Sequence, residues 1–157
     1  MEYLKKFGIE AGKGKYHEEA VYGIALLYNL INNEVSAYLN KYDLTPAQFN
    51  VLLVIKQQGG REGISQVDIS KRLIVTPSNM TRLIDKLEKA RLVDRLAHRG
   101  DRRVNLIRAS EKAVKLLDQA WSGYNEKLEG LVSDLGLDDQ RSLSQLINRW
   151  LDRLTRE

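Results

Sequence analysis

The sequence predicts a mainly α-helical fold carrying one short β-hairpin. Three observations predict it. Apolar residues recur at three- and four-residue steps along most of the 157-residue chain. Helix starts are marked by hydroxyl side chains, twice followed by proline, at Thr45-Pro46 and Thr76-Pro77. Outside these helices, residues 92–96 and 104–107 read as two short strands around a basic, glycine-containing turn, Arg99-Gly100-Asp101-Arg102.

Taken in order, residues 1–15 hold three glycines and no sustained period, which predicts an N-terminal arm. Tyr16 to Lys41 predicts a long helix. Val21, Ile24, Leu27, Tyr28, Ile31, Val35, Tyr38 and Leu39 mark one stripe, widened by Tyr22, Leu26 and Leu30. A stripe that wide needs more than one covering neighbour. Thr45, Pro46 and Gln48 form a capping box for a compact helix that buries Phe49, Leu52, Leu53 and Ile55 and stops before Gly59-Gly60. After the polar Arg61-Glu62-Gly63, Ile64 is placed for a minimal strand beside the hairpin.

Ser65 then caps a short helix whose buried side is expected to hold Val67, Ile69 and Leu73. Thr76 caps the next, with Pro77 at its first position and Met80, Leu83, Ile84 and Leu87 on one apolar face. Beyond the hairpin, Ser110 caps a helix from Glu111 towards Gly130, with Ala113, Val114, Leu117, Trp121, Tyr124 and Leu128 inward and Gly123 marking a close helix approach. Gly136 is the expected stop and Asp138 the N-cap of a last helix. That helix places Leu143, Leu146, Ile147, Trp150, Leu151 and Leu154 on one side.

The helix after Thr76 turns Ser78, Asn79, Thr81, Arg82, Asp85 and Lys86 outward. Short hydrogen-bonding side chains and an arginine at a helix N-terminus are the type that reads base edges in a major groove. Two helices in helix-turn-helix relation followed by a basic hairpin make a winged helix. Charge agrees with that reading. Between Arg61 and Ser110 stand twelve Lys/Arg against six Asp/Glu, whereas the rest of the chain holds 13 against 15, so all the excess positive charge sits on this segment. A localised basic patch points to a polyanionic partner.

The run Asp101-Arg102-Arg103-Val-Asn-Leu-Ile-Arg-Ala-Ser110 behind a Thr-Pro-Ser helix resembles the wing signature of MarR-family (multiple antibiotic resistance) regulators, and Leu44-Thr-x-x-Gln48-Phe49 resembles the entry to that family's second helix. The family has Leu-Thr where this chain has Ala109-Ser110. From about Tyr16 onward, the resemblance implies one MarR-like domain over 1–157: a winged helix at 45–110, dimerisation helices at 16–42 and 111–157, and an arm at 1–15. It implies a homodimeric transcriptional regulator, a repressor, on a pseudo-palindromic site in double-stranded DNA. Ser78, Asn79, Thr81 and Arg82 are then expected at base edges, Gln66 and Thr76 near phosphates, and Ser65 among the other DNA-binding residues. In the wing, the resemblance puts Arg103 at the minor groove, Arg99 and Arg102 on the backbone, and Asp101 as the residue that shapes the hairpin.

The long amphipathic helices carry more apolar surface than a small winged helix covers, which favours a second copy of the chain over a larger monomeric bundle. Trp150, Leu151 and Leu154 are the expected anchors. Family members respond to small aromatic or anionic effectors. A pocket bordered by the helix of 16–41, the helix from Thr45 and the helix near Trp121 is therefore implied; the other reading is that Tyr28, Tyr38, Tyr42 and Trp121 fill a core. The alternatives for the whole chain are a winged-helix protein–protein interaction module and a ligand-independent DNA-binding protein.

Other chemistries find no residues. There is no cysteine, which excludes thiol redox sensing and thiolate metal sites. Neither His17 nor His98 sits in a ligand cluster. Gly8-x-x-x-Gly12-Lys-Gly14 lacks the strand and the Lys-Ser/Thr ending of a phosphate cradle. No nucleophile pairs with a histidine, so neither an enzyme nor a cofactor is expected. The uncharged stretch Ala20 to Asn33 is too short for a bilayer, which makes a cytoplasmic, non-membrane chain the expectation.

Overall fold

The computed structural model describes residues 2–9, 12, 14–97 and 105–156. A single turn, α1 (Glu2–Lys5), precedes the long α2 (Tyr16–Leu39), which tightens into a 3-10 turn at Asn40–Tyr42. Then follow α3 (Pro46–Gly59), β1 (Ile64–Ser65), α4 (Gln66–Leu73), α5 (Pro77–Lys89), β2 (Val93–Ala97), β3 (Asn105–Ala109), α6 (Glu111–Leu131) and α7 (Leu137–Leu154). The three strands form an antiparallel sheet in the order β1-β3-β2, with Ile107 opposite Ile64 on one side and Arg95 on the other.

Local chemistry sets the helix starts. Thr45 accepts from the Gln48 N–H at 3.2 Å while the Gln48 side chain accepts from the Thr45 N–H at 2.9 Å, so the capping box is complete. Ser65 and Ser110 each accept from the N–H three residues on, Asp68 at 3.1 Å and Ala113 at 3.2 Å. Thr76 occupies the N-cap of α5 with Pro77 at the first turn, but its hydroxyl makes no capping bond and lies 3.4 Å from Ser78 Oγ. The last helix starts differently from expectation. Its N-cap is Gly136, and Asp138 lies inside the first turn with Asp139, where carboxylates favour the positive end of the helix dipole.

The core is the winged helix. Leu39, Phe49, Leu52, Ile55, Ile69, Met80, Ile84, Leu87, Val93, Ile107 and Leu117 are fully buried in one cluster. Val67, expected inward, is exposed instead. Over the eight residues of α4, Ile69 and Ser70 take the buried side, and Ser70 satisfies its hydroxyl on the Gln66 carbonyl at 2.9 Å. The turn after α4 holds Ile74 at φ 53°, a left-handed conformation that a β-branched residue adopts at a cost.

Gly123 does mark a close approach. A Cβ there would lie 2.6 Å from the Tyr38 hydroxyl. That hydroxyl donates to the Ala120 carbonyl at 2.8 Å, and the Tyr42 hydroxyl donates to Gln119 O at 3.2 Å, so the end of α2 is clasped onto α6. Burial, helped by the hydrogen bond and charge of Tyr42, pushes the Tyr38 phenol up to about 12.

Two helices remain poorly covered. No residue of α7 is buried, and Leu143, Leu146, Ile147, Trp150, Leu151 and Leu154 are exposed. In α2 only Val35 and Leu39 are buried, while Val21, Tyr22, Ile24, Leu27, Tyr28, Leu30 and Ile31 are exposed. These faces lie along a groove between α2 and α7 lined by Ala20, Ile24, Leu143, Leu146, Ile147 and Trp150.

Candidate nucleic-acid interface

The site is built from the outward side of two helices and the strands beside them. Met80, Ile84 and Leu87 fix one face of α5 in the core, which turns Ser78, Asn79, Thr81 and Arg82 to solvent. Thus the four residues expected at base edges share one exposed helix surface over its first two turns. Thr81 is less free than its neighbours. Its hydroxyl donates to the Pro77 carbonyl at 3.0 Å and accepts from Gln66 Nε2 at 2.7 Å. Gln66 therefore ties the start of α4 to α5, and its amide is engaged within the protein rather than held out for a phosphate. Ser65 is likewise occupied, capping α4 and donating to Asp68 Oδ2 at 2.6 Å. Thr76 is exposed beside the α5 N-terminus.

The hairpin stem stands next to this surface. β2 and β3 pair from Val93 opposite Ala109 to Ala97 opposite Asn105. The expected wing residues Arg99, Asp101, Arg102 and Arg103 lie outside the described residues, as does His98. The stem also carries a cation absent from the sequence-based site. Arg95 forks between Asp85, through its Nη2, and Glu88, whose Oε2 lies 3.4 Å from Arg95 Nε. Its signal was a charged residue between Val93 and Ala97, on the alternation that points inward.

The groove expected for a small molecule has a different border. Between α2 and α6 runs an open groove of about 570 Å³ lined by Glu34, Tyr38, Lys41, Gly123, Glu126 and Lys127, and α3 does not line it. Instead Phe49 of α3 packs against Tyr124 in a tilted arrangement, ring centroids 4.6 Å apart, which fills the junction expected to be hollow. Trp121, 46% exposed, packs at 6.0 Å from Tyr124. Among the described residues no group of three His, Asp or Glu side chains converges as a metal site would, and no helix is long and apolar enough to cross a membrane.

Two successive short helices, a three-stranded sheet and a hairpin stem beside an exposed polar helix define a winged helix-turn-helix protein. Residues 42–104 match the model of the MarR family. The chain is 25% identical to the HTH-type transcriptional regulator MhqR of Bacillus subtilis over 78% of its own length and 82% of the relative's. It is 28% identical to the multiple antibiotic resistance protein MarR of Escherichia coli over 80% and 88%. A crystal structure of a mutant MarR from E. coli complexed with operator DNA superposes with a TM-score of 0.81, at 23% identity over 90% of this chain and 99% of that one. The chain is thus similar to members of the MarR family, most directly over residues 42–104.

Proposed function

We infer that the chain is a DNA-binding transcriptional regulator that acts as a homodimer on a two-fold operator. The observation that carries this reading is the exposed first two turns of α5, with Ser78, Asn79 and Arg82 open to solvent beside a basic hairpin. Ser78, Asn79 and Arg82 read base edges. Thr81, braced by Gln66, keeps the helix start in register and contributes a methyl and a shared hydroxyl. Thr76 and the α5 N-terminus hold a phosphate, and Arg99, Arg102 and Arg103 extend the contact along the backbone and minor groove, with Asp101 shaping the turn. The same fold is seen on operator DNA in a solved relative, which supports a DNA-binding reading.

Dimerisation follows from the open faces of α2 and α7. Trp150, Leu151 and Leu154 are 38%, 46% and 71% exposed in the single chain, and covering them needs a second copy. The chain acts by occupying DNA, as a repressor, rather than by catalysis. Occupancy is modulated by a small aromatic or anionic molecule bound near the α2–α6 groove, where Lys41 offers charge and Tyr38 a ring, while Lys127 is paired with Glu34 at 3.1 Å.

Fluorescence anisotropy on DNA flanking the chain's own gene, with a scrambled duplex as control, tests the reading. Selective binding that weakens steeply with salt is the expected result. Equal affinity for both duplexes, or none, would instead leave a winged helix that docks a protein partner.

A further inference from the structure

Arg95 stands where strand alternation calls for an apolar side chain. Its neighbours on the same face of β2 and β3, Val93 and Ile107, are 2% and 0% exposed. Its side chain is 30% exposed, and its Nε is shut off from solvent without a hydrogen bond of good geometry. Both of its partners come from the helix that carries the base-facing residues. Asp85 and Glu88 are three residues apart, on the side of α5 that faces β2.

Desolvating a guanidinium is costly, and apolar residues of similar volume commonly serve stability as well or better. A pair of this kind is therefore better explained by the geometry it specifies. A planar fork held by two carboxylates fixes direction as well as distance, which a lysine cannot do.

We propose that Arg95 is a positioning residue that locks the wing stem to the recognition helix, so that α5 and the hairpin meet DNA as one rigid unit. The chain path makes this effective. β2 leaves α5 through Arg91 at φ 58°, and the Leu92 N–H donates to Leu87 O at 2.9 Å, so the strand turns back along the last turns of the helix. Arg95 then straps the strand at Asp85, in the second half of α5. The other charge pair of the stem, Asp94 with Arg108 at 3.2 Å, bridges β2 to β3 on the opposite face and leaves the helix untouched.

The proposal rests on the DNA-binding reading and makes a prediction of opposite sign from simple charge. Neutralising Asp85 removes a negative charge beside DNA, which by itself tightens binding to every sequence. Loss of the strap instead weakens binding to the selected site alone. The full chain and its Asp85→Asn, Arg95→Gln, Arg95→Lys and double Asp85→Asn/Arg95→Gln variants are measured on the selected and scrambled duplexes, with thermal melts as the folding control. Because the Asp85 carboxylate is partly exposed and screened by solvent, Asp85→Asn should lower affinity for the selected site a few-fold. Its affinity for the scrambled duplex should hold or rise. Arg95→Lys, with its charge intact, should lose selectivity as well, and the double variant should be no worse than Arg95→Gln. Asp85→Asn tightening on both duplexes, or strictly additive single effects, would overturn the proposal. A parent chain that selects neither duplex would sink the DNA reading itself, a separate outcome.

Discussion

Gly123→Ala tests the clasp that joins the end of α2 to α6. In an exposed helix the substitution is favourable by about 1 kcal/mol, because alanine loses less backbone entropy. Here the new Cβ would stand 2.6 Å from the Tyr38 hydroxyl and 3.0 Å from its Cε2, closer than van der Waals contact. The ring must move, which breaks its bond to the Ala120 carbonyl and disturbs Tyr42. A lost hydrogen bond costs about 1 kcal/mol, and forcing an extra methyl into a packed joint about 1–3 kcal/mol. Against the propensity gain, Gly123→Ala should destabilise the chain by about 1–3 kcal/mol. In a Tyr38→Ala background the obstacle is gone, and the same change should stabilise by about 1 kcal/mol. Urea melts of the four proteins give the coupling directly, provided the m-value is constant. A stabilising Gly123→Ala in the presence of Tyr38 would refute the close packing described here.

Three further outcomes are expected. Asn79→Ala and Arg82→Ala should each cost about 1–3 kcal/mol on the preferred operator and relax its sequence preference, as a binding-site selection would show. Leu151→Glu should shift the protein to monomer in light scattering and weaken operator binding, because two linked half-sites act together. Ile74→Asn should relieve the left-handed strain at an exposed position and raise stability by about 1 kcal/mol in thermal melts, since asparagine tolerates that conformation.

The helix-turn-helix was legible because two independent codes agreed on it. The capping chemistry of Thr45-x-x-Gln48, Ser65 and Ser110 marked the starts, and a 3.6-residue period marked the buried faces of α3 and α5. In the eight residues of α4 the period is too short to choose a face, and Val67, expected inward, is exposed while Ser70 is buried. Asp138 misled because an aspartate in a first turn and one at the cap use the same attraction for the helix N-terminus. In the site, Ser78, Asn79, Thr81 and Arg82 are exposed as expected, whereas Asp85, expected outward, is half-buried against Arg95, and Gln66, expected near a phosphate, is held by Thr81. Spacing alone cannot show which polar groups are spent on each other. Arg95 escaped because a charge in a strand suggests solvent, and only the register shows that it faces α5.

Hydroxyl-radical footprinting of the dimer on its operator tests the central claim most directly. Two copies on a two-fold site should protect two half-sites on one face of the duplex, their centres roughly 34–36 Å apart or a multiple of that. One unpaired protected patch, or protection spread evenly around the duplex, would contradict it.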